Sequence, residues 1–463
     1  MIGPRKPGGS LSAAFLILAW FTACAIVLQL FKWYDWGQGL VRGLLLVALA
    51  IIAGVPAALA VFRRRLSDSG RLRYEPIPWL GIAAVGFVVL GFGYHLHVGL
   101  RTLSHSIAEH RVWLDQGENS VRALRLLFHG VNPFGKHTML DPVAYEQALR
   151  KLTAKPSCAL SPTAHLKALS DHFWEDPVVR LDEMERLSPS IAELPECREL
   201  RLQFDSVAYK YGPVLLASYA PFVALLGDAG IYVAHILLFI ALSALTALLA
   251  YKMANGDLFL ASLPFVVLYL PRYISSSTLS FAAVDLAPTL LSVLALSMLT
   301  FSKAKRVGAL GSAVLGLSIC AKLAPGIFYL PLLSRLKPRE WVLAPIIVAL
   351  VVLPFLIWDP VGISNNLVLF NFSRLVDSTT PMYFLDPTSR AVVKLVVIAG
   401  LAALAIIGIR QRWPLSTTLA FVTFAHLGAM GISLSFHNNY LVWVLPVLGL
   451  WMLDTTTRLL TRP

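Results

Sequence analysis

The stretch GLSICAKLAPGIFYLPLLSRLKPRE, residues 316–340, carries apolar residues on both sides of a single lysine, Lys322, and closes on Arg335, Lys337 and Arg339. It reads as two half-length apolar segments, 307–322 and 323–336, that meet at Lys322 and end in a basic loop. A lysine at membrane depth costs about 2.5–3.5 kcal/mol unless it reaches water, an anion or a counter-charge. Two readings of Lys322 follow. It snorkels to a nearby surface, or it holds an anionic group such as a phosphate.

The rest of the chain supplies the membrane. Of 463 residues, 57% are hydrophobic and 14% charged, and the mean hydropathy is +0.69. Soluble domains carry about 25% charged residues, so the composition defines a polytopic membrane protein. The net charge of +13 is not a nucleic-acid footprint, because Lys and Arg sit beside apolar spans rather than along one stripe. Further apolar segments are 11–32, 40–62, 77–100, 230–252, 257–271, 281–301, 341–358, 390–409, 414–434 and 440–457. The total is about twelve spans, several of them short or split by Pro or Gly. The N-terminus has the basic-then-apolar pattern of a signal peptide, but its apolar run is as long as a full span and reads as a retained first helix. The expected fold is therefore all-α, with about twelve transmembrane helices and one large extracytoplasmic loop carrying juxtamembrane helices.

Four basic clusters orient the spans: 63–73, 302–306, 334–340 and 410–412. All four fall on the cytoplasmic side if the N-terminus is inside and if YGPVLLASYAPFVALLG, 211–227, lies along the surface instead of crossing. The loops 101–212 and 359–389 and the turn 435–440 then face outward. Cys158 and Cys197 lie in the first of these loops, where an oxidising compartment would allow them to pair; Cys24 and Cys320 lie inside apolar runs and read as small buried hydrophobes.

Polar groups gather on that outward side. WLDQGENSVRALRLLFHGVNPFG, 113–135, presents Asp115 and Glu118 at the start of a short helix, followed by a Gly-Val-Asn-Pro-Phe-Gly turn. Both acids suit a helix N-terminus on electrostatic grounds alone. Lys322, Arg272, Arg374 and His437 supply cations on the same side, and Tyr211, Asp285, Asn438 and Tyr440 lie at neighbouring outward ends. An apolar body with acids and cations on one face suits a lipid-linked phosphate whose tail lies in the bilayer. His95, His97, His105 and His110 cluster loosely, yet interfacial histidines more often make hydrogen bonds than bind metal. No phosphate-binding glycine loop or metal-ligand spacing occurs.

Taken in order, these stretches resemble the GT-C superfamily of membrane glycosyltransferases, the bacterial type that uses polyprenyl-phosphate sugars. DQGENSVRALRLLFHGVNPFG resembles the family's acid, helix and Gly-x-Asn-Pro-aromatic turn; YKYGPVLLASYAPFVALLG its juxtamembrane segment; GLSICAKLAPGIFYLPLL its Lys-Pro hairpin; and PFLIWDP and FHNNYLVWVLPVL later helix ends. The resemblance covers roughly residues 77–457 as a GT-C-like core that includes the loop 101–212. Residues 1–76 add two further helices and a basic loop, and 458–463 form a cytoplasmic tail. Gln116 stands where the family carries a second acid, and Gly212-Pro213 where it has Pro-Pro.

The resemblance implies an inverting transferase in the cell inner membrane, active on the extracytoplasmic face. Its donor is a polyprenyl-phosphate sugar and its acceptor a lipid or glycan. Asp115, or alternatively Glu118, is the general base; Lys322, Arg272, Arg374 and His437 bind the donor phosphate; Tyr211, Asp285, Asn438 and Tyr440 contact substrate. No cofactor is implied, and a divalent metal is compatible with the chemistry but not required by it. The partners are the donor, the acceptor and membrane lipids, with no nucleic acid. An O-antigen ligase or polymerase, and a lipid or sugar transporter or flippase, are the alternatives.

Overall fold

The computed structural model describes residues 8–33, 39–66, 76–109, 112, 115–134, 209–301, 304–369, 380–433 and 438–461. Every regular element among them is helical. The principal helices are α1 (Gly8–Trp33), α2 (Gly39–Leu66), α3 (Pro78–Glu109), α4 (Asp115–Phe128), α5 (Pro213–Leu226), α6 (Gly230–Met253), α7 (Leu258–Tyr269), α8 (Leu286–Phe301), α9 (Lys305–Ala321), α10 (Leu343–Trp358), α11 (Pro387–Gln411), α12 (Leu415–Ile432) and α13 (Leu441–Thr461). Cys158, Cys197, His110, Arg374 and His437 lie outside the described residues, as does the loop 135–208.

Helix α7 is the axis of the body. Its Asp257 cap accepts from the Leu260 amide at 2.9 Å, and residues 259–269 are all buried. Around it pack α1, α3, α6 and α13. Helices α8 and α9 form a hairpin, α10 lies against α9, and α12 against α13. The two N-terminal helices are part of this core rather than an appendage: Phe21, Cys24, Leu28 and Phe31 of α1 are buried in the main apolar cluster. Trp20 Nε1 donates to the Ile52 carbonyl (2.8 Å), and the Tyr273 hydroxyl donates to that of Leu28. Cys24 and Cys320 are free and buried, as expected.

The outer helices are apolar towards the surroundings. Ala344 is the buried residue of α10 and Gly408 that of α11, while Leu350, Ile357, Leu395 and Val396 stand exposed. A helix that is apolar all round, with its leucines outward, belongs in lipid. Among the described residues, six helical stretches are long and apolar enough to cross a membrane: Ala13–Phe31, Pro78–Glu109, Pro213–Met253, Pro338–Trp358, Pro387–Gln411 and Leu415–Ile432. Shorter apolar helices include Leu258–Tyr269, Leu286–Phe301 and Arg306–Ala321. The protein is thus an all-α, membrane-embedded chain.

Two segments differ from their sequence reading. Residues 323–336 form no continuous helix but a one-turn helix, Leu323–Ile327, and a 3-10 turn, Leu330–Arg335. Gly326 lies so close to Ile319 that a Cβ there would sit 2.6 Å from its amide nitrogen, so the chain folds back on α9, and Pro331 opens the next turn. The span expected from 281 begins at Leu286. Before it come a π turn, Ile274–Leu279, and Ala282 at φ 53°, a left-handed conformation that a helix cannot continue through. The segment 211–227 holds α5, which buries Leu215, Leu216, Tyr219 and Val223 against α4, α6 and α9.

Candidate functional site

The ends of five elements converge on one buried carboxylate. Asp285 stands immediately before α8, where the helix dipole favours an anion, and it is fully buried. Its Oδ1 accepts from Lys322 Nζ at 2.7 Å and from Trp443 Nε1 at 2.6 Å. Its Oδ2 accepts from Asn439 Nδ2. Lys322 reaches it because the chain is extended there, φ −156° and ψ 125°, between the end of α9 and the Leu323–Ile327 turn. The interruption read from Lys322-Leu-Ala-Pro-Gly is therefore present, and it aims the side chain inward across the hairpin.

Aromatic rings enclose the ammonium. Lys322 Nζ lies 4.6 Å from the Trp443 ring centroid, 4.7 Å from that of Tyr440 and 5.4 Å from that of Tyr211. Such cation–π contacts are worth about 0.5–2 kcal/mol each, depending on desolvation. Tyr440 and Trp443, three residues apart, stack with centroids 4.8 Å apart and 20° between planes. The lysine side chain keeps 15% of its exposure, whereas that of Asp285 keeps none.

Gln116, in the first turn of α4, fastens that helix to the same centre. Its Oε1 accepts from the Val284 amide and from Asn439 Nδ2, both at 3.3 Å. Gly117 follows because a Cβ there would lie 2.8 Å from that of Ala282. Glu118 pairs with Arg122 one turn on, and Arg125 pairs with Asp228 beyond α5. The start of α4 at Asp115 agrees with its reading as a helix N-terminus. The Gly-x-Asn-Pro-aromatic stretch is a turn as expected. Gly130 takes φ +75°, Val131 N donates to the Leu126 carbonyl at 2.9 Å, as in a Schellman end, and Asn132 Oδ1 accepts from Phe134 N at 3.0 Å.

Glycine at 212 is required by close approach. Its amide donates to the Ala321 carbonyl at 3.1 Å, and a Cβ would fall inside the Cys320 carbonyl group. This contact sets Tyr211 beside Lys322. Gly212→Ala must part α5 from the end of α9, and overpacking of this kind costs about 1–3 kcal/mol. Thermal unfolding in detergent is expected to show a lowered midpoint; an unchanged midpoint would mean that the contact is slack.

Arg272 is exposed, with φ 57°, and its guanidinium lies 5.3 Å over the Tyr94 ring. Asn438 opens the 3-10 turn that carries Asn439 and Tyr440. His95 is buried with Nε2 3.2 Å from the Tyr269 carbonyl, while His97 and His105 are exposed. Among the described residues no group of three or more His, Cys, Asp or Glu side chains gathers as a metal centre would. Sequence reasoning did not single out Asn439 or Trp443 as partners of Asp285, nor Gln116 as the residue that ties α4 to Asn439. The available signal was the polar Asn-Asn pair before α13 and the Tyr440/Trp443 spacing, which puts both rings on one helical face.

The fold and its site define an all-helical membrane protein with a polar, aromatic-lined centre where helix ends meet. Comparison with known protein families, curated proteins and solved structures yields no match.

Proposed function

We propose that the protein is a GT-C-type glycosyltransferase of the cell inner membrane, with about twelve spans. It moves a sugar with inversion from a polyprenyl-phosphate donor to a lipid or glycan acceptor on the extracytoplasmic face. The observation that supports this reading most directly is the partly exposed Lys322 side chain, paired with Asp285 in a centre to which Gln116 of α4 is tied through Asn439. Sugar transfer needs a base for the acceptor hydroxyl and a cation for the phosphate that departs with growing charge. Asp115 takes the first role. Glu118 is the alternative, and its pairing with Arg122 favours Asp115. Lys322 takes the second role, with Arg272, Arg374 and His437 as further cations along the donor. Tyr211, Asn438 and Tyr440 line the substrate. The test is transfer of radiolabel from polyprenyl-phosphate sugars by the purified chain; release of labelled sugar from none of a panel of donors would remove the reading.

One observation favours a second reading. The break at Lys322, between two helices and beside a buried carboxylate, is also how transporters build ion and substrate sites. Uptake of lipid-linked sugar into proteoliposomes without any transfer of the sugar would favour it.

The orientation predicts that a cysteine introduced as Arg150→Cys, in a background without the four native cysteines, is labelled by an impermeant maleimide in intact cells. Lys337→Cys is expected to need permeabilisation. The opposite pattern would invert the topology and move the site to the cytoplasm.

A further inference from the structure

We propose that Asp285 is a positioning residue, which touches no substrate and acts by holding the Lys322 ammonium in its aromatic enclosure. Both carboxylate oxygens are occupied, by three donors from two segments distant in sequence, and the side chain has no exposure. Of the pair, only the lysine side chain keeps any exposure. Asn439 completes the arrangement: one atom, Nδ2, serves both Asp285 Oδ2 and Gln116 Oε1, so its two hydrogens are both used. Gln116 is thereby assigned a task suited to a neutral amide. An acid at 116 would set a second anion against the same Asn439 and compete with Asp285 for the lysine.

The inference deepens the reading of Lys322 as the phosphate-holding cation, but its first test does not depend on that reading. Lysine acetylation by an N-hydroxysuccinimide ester, followed by mass spectrometry of the full-length chain in detergent, measures how firmly Lys322 is held, with Lys252 and Lys337 as internal references. In the wild type Lys322 is expected to react slowly. Asp285→Asn removes the counter-charge and frees the side chain, raising the Lys322 rate about tenfold or more, as expected for loss of a charge-assisted contact. Asp285→Glu, which keeps the charge, restores protection. Equal rates in wild type and Asp285→Asn would overturn the proposal.

Where Asp285→Asn fails to fold, the double variant Asp285→Asn with Lys322→Gln decides. Replacing both charges removes the uncompensated ion, so the double variant regains stability if Asp285 serves Lys322; a double variant no more stable than the single overturns the idea. A third measurement separates this inference from the functional reading. Farnesyl phosphate binding is expected to weaken in Asp285→Asn, with no further loss when the same change is made beside Lys322→Gln, since residues acting through one another are not additive. Equal losses in both backgrounds would overturn the positioning role. No binding by the wild type would remove the phosphate reading, while the acetylation result would still judge Asp285.

Discussion

Asp115→Asn is expected to lower turnover by about 10²–10⁴, the usual worth of general-base help, and to leave the fold intact. The amide keeps the size of the side chain and its place at the start of α4 but takes up no proton. The fold should survive because α4 is held by other groups: Gln116 bonds to Val284 and Asn439, and Arg125 to Asp228. Glu118→Gln behaves differently. Glu118 is committed to Arg122, so its loss is expected to reduce stability by about 1.5–3 kcal/mol, the scale of a hydrogen bond to a charged group, with turnover of the folded enzyme little changed. Both variants must be purified, shown to be folded by their unfolding midpoints, and assayed for sugar release from a polyprenyl-phosphate donor. Full activity in Asp115→Asn with loss in Glu118→Gln moves the base to Glu118. Full activity in both removes the acids from the mechanism and turns attention to transport.

Lys322→Ala carries the second large effect. Under the proposed function, loss of a charge-assisted contact to the donor phosphate is expected to weaken binding by roughly 1.5–3 kcal/mol, about 10–150-fold. The same change strands the buried Asp285 without its cation, and removing one partner of a buried pair costs about 3–5 kcal/mol of stability. Lys322→Gln separates the two, since its amide still donates to Asp285 and carries no charge for the phosphate. Donor binding lost in Lys322→Gln while the unfolding midpoint is kept identifies the phosphate contact. Donor binding kept in a folded Lys322→Gln shows that the lysine serves Asp285 and the fold alone, and Arg272 or Arg374 becomes the better phosphate cation.

Much of the architecture was legible because lipid imposes a simple rule on sequence. Long apolar runs such as 390–409 and 414–434 became α11 and α12, and the Lys322 interruption was visible as a charge inside an apolar run. Residues 323–336 misled for the same reason: hydropathy counts leucines but not the contact of Gly326 with Ile319 that turns the chain back. The start of α8 was missed because an alanine at φ 53° leaves no compositional mark. Within the site, Asp285, Lys322, Tyr211 and Tyr440 were each visible as polar residues near helix ends, but their mutual contacts were not. Ring and charge meet here through tertiary packing of α5, α8, α9 and α13, and no local period encodes that meeting. Gln116 was visible only as the amide standing where the resembled family carries a second acid; its bonds to Val284 and Asn439 arise from tertiary packing.

The bond between Asn439 and Gln116 joins residues 323 positions apart, and this has a consequence for biogenesis. As the chain enters the membrane in order of synthesis, Asp285 and Lys322 arrive well before the segment that carries Asn439 and Trp443. Until α13 is inserted, the carboxylate has the lysine but neither of its other two donors, and the ammonium lacks two of its three rings. The centre is therefore completed only when α13 arrives. Contacts of such long sequence separation form slowly and leave partly assembled forms exposed. A chain released before residue 438 would hold a buried ion pair with open flanks, the kind of polar defect in lipid that a membrane quality-control protease can recognise.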